Sequence, residues 1–243
     1  MCTVILLRRP GHAWPLCLAA NRDERLDRPW DAPAEHWPGL VGGRDRLGGG
    51  TWMAMNAAGV VAAVLNRPGS LGPAPGKRSR GELPLQALAA PSAEAAAARL
   101  AALDAALWRP FHMVLADAHS AWFVAGLGEG RPEPVPLGPG VSMVTAHPPN
   151  DVTSPRIARH LPRFAAAAAP EPPGWGDWPG LLADSDGAAD AALNVPPLGG
   201  FGTVSASLLA LGVGGARIWA FAPGPPDRTS FAPVSLPEAV ARA

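Results

Sequence analysis

The first residues able to do chemistry stand at the start of the chain, Met1-Cys2-Thr3. Methionine aminopeptidases remove Met before small residues, which would leave Cys2 as the first residue. Its α-amine then titrates at about 7.7–8.0, far below a lysine, and can serve as a base beside the thiol. A nucleophile that uses its own terminal amine as base is a known catalytic device. A free cysteine also behaves as a small hydrophobe, which is its commoner use. The second group is Asn21-Arg22-Asp23-Glu24, which follows an apolar run ending at Ala20. An arginine beside a thiol favours the thiolate, and an aspartate can accept from an α-amine and orient it. The bland use of such a tetrapeptide is a solvated strand end. The third is Asn66, before Arg67-Pro68-Gly69. Its amide is a plausible oxyanion donor, and Asn is equally at home in turns.

Other chemistries find less support. The six histidines (12, 36, 112, 119, 147 and 160) lack the paired spacing of a zinc site, and most read as turn or surface residues. No metal site is expected. Gly48-Gly49-Gly50 is not followed by Lys-Ser/Thr and a helix, so it is a poor phosphate loop. Trp14, Trp30, Trp37 and Trp52, among nine tryptophans, read as core or loop anchors.

Two cysteines, Cys2 and Cys17, cannot make a secreted disulfide framework. The 20 basic and 20 acidic residues cancel, and no basic run offers a nucleic-acid or anionic-membrane surface. No apolar run approaches the ~20 residues of a membrane span. No signal-peptide pattern stands at the N-terminus, so a soluble cytoplasmic protein is expected. Gly (28) and Pro (30) are abundant, but a hydrophobic share of 48% argues for a folded chain with many turns. Nineteen arginines against the single Lys77, and the alanine runs, reflect GC-rich codons more simply than function. We expect one domain over residues 1–243.

The elements that must position these residues follow from periodicity. Thr3–Leu7 and Leu16–Ala20 read as a hairpin around Arg9-Pro10-Gly11-His12. A turn near residues 11 and 12 makes partner numbers sum to about 23. That places Cys2 beside Asn21 and within reach of Arg22 or Asp23. Cys17 then pairs near Leu6, on the order of 13 Å from Cys2 along the strands and out of disulfide reach, so it reads as core. After a charged, Pro-rich loop, Thr51–Asn56 and Val60–Asn66 read as a second hairpin. A helix capped by Ser92 is expected to run to about Leu107. Phe111–Ala116 and Ala121–Gly126 are a strand pair, and Val141–Thr145 is a further strand. Ser154-Pro155 starts a helix with Ile157, Leu161 and Phe164 on its apolar face. Residues 170–200 read as loop with a short helix near 178–183. Gly202–Leu211 and Ala216–Phe221 form a last hairpin, and residues 237–243 suit a short helix. Strand pairs with segregated helices mean α+β.

The Met-Cys-Thr start, Leu18-Ala19-Ala20-Asn21-Arg22-Asp23-Glu24 and Arg28-Pro29 resemble the NRDE family. Its eukaryotic members are called transport and Golgi organisation protein 2. The likeness continues through Gly49-Gly50-Thr51-Trp52, Asn66, Arg80-Gly81-Glu82-Leu83, residues 111–117 and Pro155-Arg156. The resemblance implies an N-terminal-nucleophile hydrolase fold, a four-layer αββα sandwich. A more distant likeness, through Met1-Cys2-Thr3 and the stretches 55–59 and 65–69, is to choloylglycine hydrolase and penicillin V acylase. By that similarity Cys2 is the nucleophile, Asp23 orients the amine, Asn66 donates to the oxyanion, and Arg22 supplies a cation at a slightly different offset. The family often has Ser-Asn where this chain has Thr145-Ala146, and Gly-Thr-Arg where it has Gly202-Thr203-Val204.

These likenesses imply functions of different classes. One is an intracellular carrier for haem or an acyl-type metabolite, as eukaryotic members are associated with haem trafficking and acyl-CoA handling. Its ligand would lie at Asn21, Arg22, Asp23, Glu24, Trp52 and Arg80, with haem as a possible ligand and no cofactor required. The other is a Cys2-dependent amidohydrolase. A purely structural interaction protein is the third.

Overall fold

The computed structural model of the chain describes residues 2–237. The short helix expected at residues 237–243 lies almost wholly outside them. The chain divides into two compact units, one made of residues up to Arg28 with Pro139–Ser235, the other of Pro29–Gly138.

The first unit is built on a six-stranded antiparallel sheet. β1 (Thr3–Arg8) pairs on one side with β2 (Leu16–Arg25) and on the other with the edge strand β10 (Gly140–Val144). β2 continues into β11 (Phe201–Leu211), followed by β12 (Arg217–Ala222) and the short β13 (Ala232–Pro233). One face packs on α3 (Pro155–Ala166) and α4 (Trp178–Leu182). Ile5, Cys17, Ala19, Met143, Leu208 and Ala210 meet Ile157, Phe164, Trp178 and Leu182 there. Cys17 is fully buried, the core residue that the hairpin implied. α3 starts as expected, with Ser154 Oγ accepting from the Ile157 amide and proline at the first helical position. The edge of Trp178 meets the ring of Phe164 at 5.3 Å.

The second unit is a seven-stranded meander. It runs β3 (Trp30–Trp37), β4 (Leu40–Asp45), β5 (Met53–Asn56), β6 (Val61–Asn66), β7 (Phe111–Ala116), β8 (Ala121–Gly126) and β9 (Glu133–Pro136). Its core lies against α1 (Glu82–Ala87) and α2 (Ala93–Ala101), where Leu83, Ala87, Ala96 and Leu100 meet Ala62, Met113, Leu115 and Val124. Asn56 ties the sheet to this layer, its amide donating to the carbonyls of Leu88 and Ala90. Gly43 is required in β4, because a Cβ there would stand 2.1 Å from the ring of Trp52. Each unit is thus an antiparallel sheet with helices on one face, and the α+β class expected from the order of elements is the one observed.

Four expectations are corrected. The charged, Pro-rich stretch after Arg28 is not a loop but the pair β3 and β4. β3 is an edge strand, where Pro33 removes no ladder bond, and so it lacks the apolar alternation that marks a strand. The helix capped by Ser92 ends at Ala101, with only a 3-10 turn at Ala105–Leu107. Residues 82–87 form a helix where none was read. The first hairpin closes with Arg9 N donating to Pro15 O, and its partners sum to 24 rather than 23: Thr3 faces Asn21 and Cys17 faces Leu7.

No helix among the described residues is long and apolar enough to cross a membrane.

Candidate functional site

That single step of register decides what Cys2 meets. One place beyond the Thr3–Asn21 pair, Cys2 is level with Arg22 rather than Asn21. In an antiparallel sheet, residues directly opposite share a face and neighbours along a strand alternate. Cys2 and Arg22 therefore belong to one face, and Thr3, Asn21 and Asp23 to the face that carries α3. The tetrapeptide is not a solvated strand end. It lies inside β2, with Asn21, Arg22 and Asp23 buried and only Glu24 half-buried. β11 runs alongside and explains this, pairing Thr203 with Asp23 and Ser205 with Arg22. Val204 sits in the register shift between those two pairs.

Cys2 is partly exposed as a residue, and its Sγ donates to the main-chain oxygen of Asp23 at 3.5 Å. Burial of the sulfur pushes the thiol above its ordinary value, and the negative charge of Asp23 adds to this. The terminal α-amine, the Asp23 main-chain contact and Arg22 pull the other way. Arg22 in turn faces Glu24 at 3.7 Å, and Glu24 also faces Arg28 at 3.6 Å.

The Asp23 carboxylate is held from two elements. Thr203 Oγ1 donates to Oδ1 at 2.7 Å, and Arg156 Nη1 on α3 donates to Oδ2 at 3.1 Å. Thr203 Oγ1 is itself fixed by the Val195 amide at 2.7 Å. Arg156 also donates from Nη1 to Thr3 Oγ1 at 3.0 Å and from Nη2 to Ala189 O at 3.1 Å. Both side chains of the ion pair are completely buried. Asn21 anchors the same face, donating to Leu182 O and Leu193 O at 2.9 and 3.0 Å.

The first unit thus brings together Cys2, Asn21, Arg22, Asp23 and Glu24. Asn66, Trp52 and Arg80 belong to the second unit. Asn66 ends β6 opposite Phe111, Trp52 meets Trp30 edge to face at 5.8 Å, and Arg80 donates to Ser70 O at 2.6 Å. Arg156 and Thr203 were not singled out as site residues from the sequence. A lone arginine on an amphipathic helix ordinarily reads as solvated; its place beside Ile157 and within the Pro155-Arg156 stretch of the family resemblance are the signals that point otherwise.

Of the six histidines, His112 and His160 are buried. His160, one turn after Arg156, has its pKa lowered to about 4, chiefly by burial. Its Nε2 bonds Ala191 O and its Nδ1 faces Arg163, while Arg159 and Arg163 both reach Asp184. A histidine whose folded pKa lies below its unfolded value binds more protons when unfolded. Stability is therefore complete above about pH 6.5 and lost as pH falls toward 4. His160→Gln is expected to flatten the fall in thermal midpoint across that window; an equally steep fall in the variant would assign it to other groups.

Among solved structures, the chain resembles an N-acylethanolamine-hydrolyzing acid amidase ortholog from Caenorhabditis elegans. The TM-score is 0.57 at 11% identity, covering 86% of this chain and 92% of that one. It also resembles penicillin V acylase from Agrobacterium tumefaciens, with TM-score 0.55, 15% identity and coverage of 91% and 83%. A mutant conjugated bile acid hydrolase from Clostridium perfringens matches with TM-score 0.52 and 13% identity, over 100% and 99% of the two chains. At these identities the likeness establishes the fold, which is of the N-terminal-nucleophile hydrolase type. No curated protein matches the sequence. The model of the family described as Transport and Golgi organisation 2 matches residues 1–167, more than half of the chain, and the protein belongs to that family.

Proposed function

We propose that the protein is an N-terminal cysteine hydrolase that cleaves the C–N bond of a small acyl amide once Met1 has been removed. The observation that supports this reading is Cys2 Sγ against the Asp23 carbonyl, on a strand whose Asp23 carboxylate is locked by Arg156 and Thr203. Burying an ion pair is costly, and stability alone gives weak reason to keep one at the start of the chain. The α-amine of Cys2 takes the thiol proton, the sulfur attacks the carbonyl carbon, and the substrate C–N bond breaks as the α-amine passes that proton to the leaving amine. Water then attacks the thioester, releasing the acid and restoring the thiol. The fold neighbours are named as an acid amidase, a bile acid hydrolase and an acylase, which is in keeping with this chemistry.

A second reading, a carrier for haem or an acyl-type metabolite, has its own support. Ala146 and Val204 are buried apolar residues where the family resemblance implies an amide and a cation, and burial pushes the thiol toward its less reactive protonated form.

One experiment separates the two. Intact mass establishes whether Met1 is absent, and a panel of acyl amides and thioesters is then followed for release. The hydrolase reading expects slow release and a transient acyl adduct on Cys2. Retention of Met1 throughout, or no release with any of the panel, overturns it. Saturable haem binding, seen as a Soret shift at micromolar haem, would then favour the carrier.

A further inference from the structure

Arg156 touches the chain at the two points that flank the candidate nucleophile. Thr3 is the residue after Cys2, and Asp23 supplies the carbonyl that Sγ contacts. One guanidinium nitrogen donates to both side chains, at 3.0 and 3.1 Å, and the other ties the fork to Ala189 O at 3.1 Å. A planar fork of this kind fixes orientation as well as charge, which a lysine cannot reproduce. We propose that Arg156 is a positioning residue for Cys2, clamping β1 to β2 beside the thiol and neutralising the Asp23 carboxylate that opposes thiolate formation. The inference rests on the reading of Cys2 as the reacting group, but its test needs no substrate.

Around the thiol, the start of the chain contributes the terminal α-amine, and β2 contributes Arg22 and Asp23, with Glu24 paired to Arg22 and Arg28. α3 contributes Arg156, while its Arg159 and Arg163 are taken by Asp184 near α4. Beyond β10, His147 faces Asp151 at 3.5 Å. Arg156 donates directly to the Asp23 carboxylate, so its removal takes a cation from that group and strengthens its charge on the thiol.

The test is the rate of Cys2 alkylation by iodoacetamide against pH in the full chain. Peptide mass reads the adduct, buried Cys17 serves as internal reference, and the thermal midpoint verifies folding. Arg156→Met is expected to move the Cys2 profile up by about one pH unit, a roughly tenfold slower reaction on its rising limb. Arg156→Lys keeps the charge and loses the fork, and is expected to slow alkylation about threefold. A purely structural role lowers the thermal midpoint and leaves the profile of the folded fraction unmoved. An unmoved profile, or a shift to lower pH, in either folded variant overturns the proposal. Where Arg156→Met does not fold, Arg156→Lys decides: an unchanged rate overturns the clamp. Alkylation reads the thiol directly, so absence of hydrolytic turnover does not bear on this result.

Discussion

Cys2→Ser is expected to abolish release of acyl substrates while the thermal midpoint stays within a few degrees. The substitution exchanges one atom for a slightly smaller one and keeps a donor toward the Asp23 carbonyl, now 3.5 Å from the sulfur. That contact survives the exchange, and volume-conserving changes cost little. Reactivity is another matter. A hydroxyl at neutral pH is far less nucleophilic than a thiol beside the same amine. A loss of about a thousandfold corresponds to roughly 4 kcal/mol of transition-state stabilisation. The pair of measurements is decisive because ligand carriage without covalent chemistry is insensitive to the exchange. Undiminished release from Cys2→Ser would remove Cys2 from the chemistry, whatever its place in the fold.

The candidate site was legible in the sequence to the extent that it is local. A strand, a short Gly-containing turn and a returning strand bring residues 2 and 21–24 together whatever the rest of the chain does. The register was misjudged by one, since loop closure at Arg9 and Pro15 depends on where the last ladder bond forms, which residue types alone do not fix. The error matters physically: a one-residue slip exchanges faces, and it is Arg22 rather than Asn21 that shares the face of Cys2. Partners from distant sequence were hidden for a different reason. Arg156 and Thr203 lie 133 and 180 residues from Asp23, and local spacing does not show that either one reaches its carboxylate. In the fold, the apolar periodicity of α3 and the hairpins were read correctly because burial on one face writes itself into the spacing. β3, with its exposed edge and Pro33, has no such imprint.

The same separation gives the largest expected effect on stability. Asp23→Ala removes the carboxylate and leaves the completely buried Arg156 guanidinium without this counter-charge. It also strips Thr203 Oγ1 of its nearer acceptor at 2.7 Å, leaving Leu193 O at 3.4 Å, while the Val195 amide still donates to that oxygen. Breaking a buried pair from one side costs about 3–5 kcal/mol, because the surviving charge keeps its desolvation cost without the attraction that offset it. For a chain of this length that is a fall in thermal midpoint of roughly 6–20 °C. Removing both partners is a different perturbation. In the double variant Asp23→Ala/Arg156→Met no charge remains buried, and the methionine chain refills part of the guanidinium's volume. The double variant is therefore expected to be more stable than Asp23→Ala alone, with a coupling of at least about 1 kcal/mol between the two sites. Additive losses in the double variant would mean that the two groups stabilise the fold independently. In that case the contact between β2 and α3 would rest on packing by Ile157 and its neighbours, and not on the ion pair.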